Sequence, residues 1–410
     1  MRQRILPGPD APLRGPYDAV IIGAGVHGLG LAYNLAKRGM THLAVFDKSY
    51  LGSGASGRNT TLIRSAFTTP EWIHLFQESV RLWEGLSAEL GFNVMFTQRG
   101  YLILAVSEKT AELCRRAVPQ QNTLGVPTRL VDPREIKALA PCIEMTQVHV
   151  GIFQPTGGIA RHDAVVWGYA TKAQQLGVEI HPFTEVTAIQ VEDGEVKGVE
   201  TTKGAVHTPL VVNAAGGHSP EVARLAGVEL PAKTYPLEAF VTEPLKPLLT
   251  PALICLDTLT YLSQTARGEF VGGAEVEKIP PSHSIRSTFG FLEMAAEKVV
   301  QLIPALAQAA LLRQWAGIID MTPDLGPLLG EVDEVKGLIL DCGWGGYGFM
   351  AAPAAGKLLA DYLIDGVKPP QLSPFALSRF KEHKPIHEAS LVVLIPEAEE
   401  QPTAPRGTPS

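Results

Sequence analysis

Two arginines leaving a loop of glycine and hydroxyl residues are well suited to gripping a small acid. Residues 51–64 read LGSGASGRNTTLIR. Glycines and small hydroxyl side chains let a backbone pass close to something flat or anionic. Arg58 and Arg64 lead out of this loop into apolar sequence. An arginine so placed offers a planar fork of donors that a carboxylate accepts through two parallel bonds. The competing reading is two solvated surface arginines. A second reactive group is His162, at the start of a helical stretch with Asp163 beside it. A carboxylate near an imidazole orients the ring and raises its basicity. By composition alone, the same histidine reads as a helix-start side chain bonded to a backbone carbonyl.

The frame that must hold these groups begins at residues 17–47. Val20 to Ile22 form a short, β-branched apolar run ended by glycine, the pattern of a buried parallel strand. Gly23-Ala-Gly25-Val-His-Gly28 follows. In such a turn Gly23 permits the tight bend, Gly25 lets the backbone approach a pyrophosphate, and Gly28 lets the next helix pack on the strand. Leu29 to Lys37 have helical spacing, with Gly39 as a stop. A second strand, Leu43 to Phe46, ends at Asp47 and Lys48, where a carboxylate can accept both ribose hydroxyls of an adenosine. The helix N-terminus directs free N–H groups and a positive dipole end at phosphates. A bound dinucleotide is expected here. His27, inside the loop, reads as a tolerated variable position rather than a ligand.

The chain has 410 residues, which predicts about two domains. A net charge of −7 argues against nucleic acid as a partner. The four cysteines, Cys114, Cys142, Cys255 and Cys342, form no CxxC pair, so neither a metal site nor a disulfide framework is expected. No apolar run approaches the roughly 20 residues of a membrane span. The N-terminus carries no signal-peptide core, which makes a cytoplasmic location the expectation. Residues 1–16 hold four prolines and read as a flexible or partner-bound arm, and 396–410 as a disordered tail.

Further along, residues 71–90 read as an amphipathic helix, 94–106 as a strand pair, and 108–140 as helices broken by prolines. A helix is expected over 164–176, capped by Asp163. A three-stranded meander is expected over 184–212, and a buried strand at 210–213 leads into a small-residue turn. Residues 232–315 carry strands at 238–242, 260–263 and 269–273 and a helix near 288–303. Leu338 to Met350 read as a strand and a glycine-rich turn, followed by a helix over 354–364. That turn would aim a second helix N-terminus at a ligand, where its dipole favours negative charge.

Six motifs in order, GAGVHG, SGRNTTLIRS, GGIARHDAVVWG, VVNAAGG, TPDLGPLLG and CGWGGYGF, resemble the D-amino-acid oxidase and glycine oxidase class of flavoproteins. Within it the chain is most similar to the β-subunit family of heterotetrameric sarcosine oxidases, from about Tyr17 to Lys381. The resemblance implies an α/β fold. A Rossmann-like FAD-binding domain (17–92, 151–230 and 317–385) would be interleaved with an α+β substrate domain on a mostly antiparallel sheet (93–150 and 231–316), leaving flexible tails at 1–16 and 390–410. It implies FAD rather than NAD, and oxidation of the secondary amine of a small amino acid. Carried over by motif, Gly23, Gly25, Gly28, Asp47 and Lys48 would meet the adenosine and pyrophosphate. Ser56, Arg58, Asn59 and Thr60 would lie beside the flavin, and the Val186 backbone would meet the adenine. Ala214 and Gly216 would form the turn after the last nucleotide strand. Gly343, Gly345, Gly346, Gly348, Phe349 and Met350 would lie under the flavin pyrimidine. Arg64 would grip the substrate carboxylate, and His162 would hold a second flavin, FMN, between this chain and an α subunit of a heterotetramer that also has small subunits.

The departures from the pattern carry as much information. No cysteine precedes Thr322, where single-chain sarcosine oxidases attach FAD, so FAD is expected to be non-covalent. The strand Glu269-Phe-Val-Gly-Gly offers no lysine of the kind those enzymes use to promote reaction with oxygen. The lysine that follows the GF of the glycine turn in the β subunits is here Met350, which makes a more apolar secondary amino acid, such as proline, plausible alongside sarcosine. The rival readings are the catalytic subunit of a dye-linked proline or opine dehydrogenase, a single-chain sarcosine oxidase, and a flavin-binding assembly subunit without chemistry of its own.

Overall fold

The computed structural model describes residues 12–274 and 279–389. Two large sheets organise it. The first has nine strands. Its spine runs Gly204–His207, Glu195–Thr201, Val335–Cys342, Val211–Asn213, Ala19–Ile22, Leu43–Phe46, Glu179–His181, with Leu328–Val332 and Val186–Glu192 attached at the side. The central strands are parallel and in register: Ile22 pairs with Phe46 and with Asn213, and Asn213 pairs with Leu340. Their C-terminal ends therefore meet along one edge, and three small-residue turns leave that edge together. In open α/β sheets, ligands bind in the crevice outside these ends.

The helices Val26–Lys37, His162–Gln175 and Gly348–Asp365 pack together, with Pro70–Leu90 against the last of them. Their apolar faces and the sheet form one buried cluster around Leu29, Trp72, Trp83, Tyr169 and Leu359. Two helices touch where side chains are absent: a Cβ on Gly356 would lie 2.9 Å from the Gly30 carbonyl carbon. The second sheet has eight strands, in the order Leu311–Met321, Lys233–Pro244, Glu269–Gly273, Thr260–Gln264, Ala252–Cys255, Tyr101–Ala105, Val150–Gln154, Arg129–Val131. It is antiparallel except where Ala252–Cys255 runs parallel to Tyr101–Ala105. The architecture is the expected one: a Rossmann-like sheet with a largely antiparallel partner.

Several local expectations need correction. Residues 94–106 hold one strand, not a pair, because left-handed backbone at Met95 and Gly100 interrupts the extended run. Between the helices Glu108–Thr123 and Pro133–Leu139 lies the strand Arg129–Val131, hidden in sequence by its two exposed residues. Asp163 does not cap its helix. The cap is Arg161, and Asp163 lies in the first turn, accepting from the Ala164 N–H. The last helix starts at Gly348, six residues before the expected Ala354, and runs through Pro353. The strands Val150–Gln154 and Leu311–Met321 belong to the second sheet, so breaks at 150 and 316 fall inside strands.

Of the expected tails, 1–11 and 390–410 lie outside the described residues. Leu13 packs on the Val20–Val211 cluster, and Glu388 accepts from the backbone N–H groups and hydroxyls of Thr68 and Thr69 at the start of Pro70–Leu90. Among the described residues no helix is long and apolar enough to cross a membrane.

Candidate active site

The three turns at the sheet edge enclose one cavity. Gly23 has φ +113°, and a Cβ there would stand 2.3 Å from the Ala214 carbonyl oxygen. A Cβ on Gly28 would stand 2.0 Å from the Gly23 oxygen and 3.1 Å from the Ile21 side chain, the close helix-on-strand packing expected of it. Gly25 is the N-cap of Val26–Lys37, and a Cβ there would come 2.9 Å from Ser56 Oγ. That hydroxyl accepts from the Val26 N–H at 3.0 Å, tying the glycine turn to the 54–61 loop. Asp47 lines the cavity and already accepts from the N–H groups of Ala24 and Ser49, each at 2.8 Å. Burial pushes its carboxyl up while those N–H groups hold it down. Ala214 and Gly216 form the second turn, and nothing lies within 4 Å of where a Gly216 Cβ would be.

The 54–61 loop brings Ser56, Arg58, Asn59 and Thr60 to the same wall. Asn59 Oδ1 accepts from the Thr61 N–H at 2.7 Å, supporting left-handed backbone at Thr61 (φ +63°). Trp315 Nε1 donates to the Arg58 carbonyl at 2.7 Å and fixes the loop to the second sheet. The third turn has left-handed backbone at Gly343, Gly345 and Gly346. Gly345, Gly346, Gly348, Phe349 and Met350 line the cavity, and the helix Gly348–Asp365 begins there without a side-chain cap. Gly28, Gly343, Lys48 and Val186 do not line it. The first two shape turns, Lys48 is exposed, and Val186 is buried in the meander. A groove in which backbone, not side chain, faces open space, with two helix starts on it, fits an elongated phosphate-linked ligand such as FAD.

Arg64 sits at the second-sheet end of this cavity and is 1% exposed, which rules out the solvated-surface reading for it. Its guanidinium lies 4.0 Å from the Phe67 ring centroid, with the rings of Tyr101 and Tyr347 at 5.8 and 5.9 Å, and it donates to the Ala66 carbonyl. Gln154 Oε1 accepts from the Ser65 and Ala66 N–H groups and fixes that backbone. Burial pushes the Tyr101 phenol up to about 12, so it stays protonated beside the arginine. Tyr101, Ile254, Tyr261, Tyr347 and Met350 line the cavity with Arg64. Of these, sequence reasoning singled out only Arg64 and Met350. The tyrosines read as ordinary strand or turn residues. No lysine and no cysteine lines the cavity among the described residues.

His27 requires a larger correction. It is 9% exposed and lines the cavity. Its Nδ1 lies 2.8 Å from Asp341 Oδ1, its Nε2 lies 2.8 Å from the Gly348 carbonyl, and its ring stacks on Trp344 at 4.6 Å. It is no tolerated variable position. Asp320 lies close by, accepting from the Gly343 N–H, and burial pushes its carboxyl up to about 6.

His162 is not part of the cavity. It is half-buried at the first position of its helix, and burial holds its imidazole below the ordinary range. Arg161 pairs with Asp163 at 3.0 Å. Exposed Trp167, Met95 and Phe92 lie on the segments around it: the Arg161 N–H donates to the Val94 carbonyl, and Phe92 flanks Gly168. Elsewhere, ligand atoms of His218, Glu221 and His283 approach within 4.8 Å of one another. Arg224 already pairs with that carboxylate, and the Lys48 charge reaches His218, both of which oppose a cation.

The paired sheets and the glycine-walled cavity define an FAD-dependent oxidoreductase. The chain belongs to the FAD dependent oxidoreductase (DAO) family, whose model matches residues 18–362. It is 37% identical to the sarcosine oxidase subunit beta of Rhodobacter capsulatus over 91% of each chain. It is 38% identical to that of Rhizobium meliloti over 89% of this chain and 88% of the other. Among solved structures it resembles L-proline dehydrogenase from P. horikoshii, with 33% identity and a TM-score of 0.87 over 91% of this chain and all of that one. Glycine oxidase from Geobacillus kaustophilus gives 25% identity and a TM-score of 0.82 over 88% and 98%. The enzyme class is thus flavin-dependent oxidation of amines.

Proposed function

We propose that the chain oxidises the secondary amine of a small N-substituted amino acid, sarcosine first among them, as the β subunit of a heterotetramer. The observation that carries the reading is Arg64, buried in the cavity wall among the rings of Phe67, Tyr101 and Tyr347. It would bind the substrate carboxylate, with the tyrosine rings of Tyr101 and Tyr347 fixing the guanidinium plane. Ile254 and Met350 would exclude water from the amine carbon. Gly23, Gly25, Ser56, Asn59, Thr60, Ala214 and Gly346 would hold FAD, which when bound supplies the acceptor for a hydride equivalent. No side-chain base is needed provided the amine arrives deprotonated, and positioning accounts for most of the acceleration. His162, on a face with Trp167, Met95 and Phe92 exposed, would hold FMN against an α subunit and so provide the outlet towards oxygen.

Met350 favours a second reading. An apolar group in place of a lysine suits a ring such as proline, and the resemblance to a proline dehydrogenase agrees with it. Anaerobic bleaching of the bound flavin by sarcosine, proline and longer N-substituted amino acids separates the two. Bleaching by none of them sinks both.

Acid precipitation is expected to release all FAD into the supernatant, because no cysteine lines the cavity among the described residues. Adenine-containing flavin left on the pellet would contradict non-covalent binding. Co-expressed with its partners, the chain is expected to carry FMN in a tryptic peptide that spans His162. His162→Asn should remove that fluorescence and leave FAD content unchanged. A mutant that keeps FMN and oxidase turnover makes His162 a structural residue.

A further inference from the structure

We propose that His27 is held as a doubly protonated imidazolium in the wall of the FAD cavity, and that it cancels the charge of Asp341, which lines the same cavity and would otherwise oppose negative charge on the bound flavin. The geometry is the argument. Nδ1 lies 2.8 Å from a carboxylate oxygen of Asp341, an ion-pair contact off the ideal hydrogen-bond direction, and Nε2 lies 2.8 Å from the Gly348 carbonyl. A carbonyl and an ionised carboxylate are acceptors only. A neutral imidazole has one N–H, and would set a lone pair against one of them. With Asp341 ionised, both contacts are attractive only when both nitrogens carry protons.

The surroundings support the cation. The Asp341 side chain is fully buried and accepts from Trp344 Nε1 at 3.0 Å, so it is fixed towards His27. The Trp344 ring stacks at 4.6 Å, an arrangement that attracts a cation. Asp320, on the strand Leu311–Met321, is the other acid whose charge reaches His27. Burial is the largest single influence and works against the imidazolium, but the Asp341 charge and contact, the Gly348 carbonyl and the Asp320 charge together outweigh it and raise His27 above its ordinary range. The position gives the charge its use. His27 lies in the first turn of Val26–Lys37 and bonds the first residue of Gly348–Asp365, so it joins the two helix starts that face the ligand. An unbalanced carboxylate in a dry site would act on the ligand far more strongly than in water, and His27 balances it. His27 is thus a positioning and electrostatic residue towards a cofactor it need not touch. The inference rests on assigning the cavity to FAD and not on the substrate.

Two measurements test it. In FAD-loaded protein labelled with 15N-histidine, one of the eleven histidines should keep both ring nitrogens protonated at a pH where the other ten have lost a proton. That signal should vanish in His27→Gln. A spectrum with no imidazolium at that pH overturns the proposal without any variant. The second probe is sulfite, which donates its electron pair to flavin N5 and leaves a negative charge on the ring system. His27→Gln should weaken sulfite binding at least roughly tenfold with FAD retained, because Asp341 is then an uncompensated buried charge. His27→Gln/Asp341→Asn removes both charges and should recover most of that loss. A sulfite Kd within about threefold of wild type in His27→Gln, or a double variant weaker than either single one, overturns the electrostatic role. Neither readout uses an amine, so failure of the substrate assignment leaves this test intact.

Discussion

Arg64→Ala is expected to raise the substrate KM by roughly a hundredfold to a thousandfold while FAD stays bound. A carboxylate held by one buried guanidinium loses its only strong partner when that group is cut away. Breaking a buried charge pair from one side costs about 3–5 kcal/mol, and every ~1.4 kcal/mol is tenfold in affinity. The lower end applies if water enters the vacated space. Arg64→Lys should fall between, since an ammonium restores charge but not the planar fork that Phe67 and Tyr101 hold in place. FAD retention follows from distance in the fold: the nucleotide turns are built on Gly23, Gly28 and Ala214, none of which touches Arg64 through the contacts described above. Steady-state kinetics with a flavin absorbance spectrum of each variant read both effects. The control is Arg58→Ala. Arg58 is half-buried, and the loop is anchored through its backbone carbonyl, which the substitution keeps. If Arg58→Ala causes the large loss and Arg64→Ala does not, the carboxylate lies at the other arginine.

What could be read in the sequence follows from what kind of constraint each residue obeys. Gly23 and Gly28 were legible because their reason is local: the backbone bends there and a side chain cannot fit. The parallel strands Ala19–Ile22 and Leu43–Phe46 were legible because burial on both faces leaves an unbroken apolar run. The strand Ala252–Cys255 has the same composition but is too short to stand out, and its place between Thr260–Gln264 and Tyr101–Ala105, the latter some 150 positions earlier, is set by pairing and not by local pattern. The last helix starts earlier than its composition predicts because Gly348 and Pro353 are poor helix formers, and packing on Val26–Lys37 overrides them. His27 escapes local sequence reasoning for the same kind of reason. Its partners Asp341 and Gly348 are more than 300 residues away, and no spacing rule links them. One signal was present: a carboxylate ending the apolar run LILD beside the glycine turn is unusual in a buried strand and calls for a cation.

Gly23→Ala is expected to lose about 3–5 kcal/mol of stability and with it FAD binding. Two costs add. At φ +113° an alanine occupies a backbone region that is nearly glycine-only, a strain of about 1–3 kcal/mol. Its Cβ would also stand 2.3 Å from the Ala214 oxygen and 2.8 Å from the Ala214 carbonyl carbon, far inside contact distance. Neither partner is the end of a flexible side chain. Ala214 follows the central strand Val211–Asn213, and its N–H donates to the Ile22 carbonyl, so relief requires pulling two paired strands apart. Overpacking of this kind typically costs a further 1–3 kcal/mol or so. Gly39→Ala separates the two terms. Gly39 has φ +99° with nothing within 4 Å of the new Cβ, so it pays the backbone strain alone and should keep its FAD. Gly85→Ala, in the middle of Pro70–Leu90 with open space around it, should stabilise by about 0.5–1 kcal/mol. Thermal unfolding with flavin release as a second signal should therefore rank the variants Gly23→Ala, Gly39→Ala, wild type, Gly85→Ala, from least to most stable. If Gly23→Ala melts with Gly39→Ala and keeps its FAD, then the turn can move away from Ala214, and the tight meeting of the two strand ends is not what shapes the site.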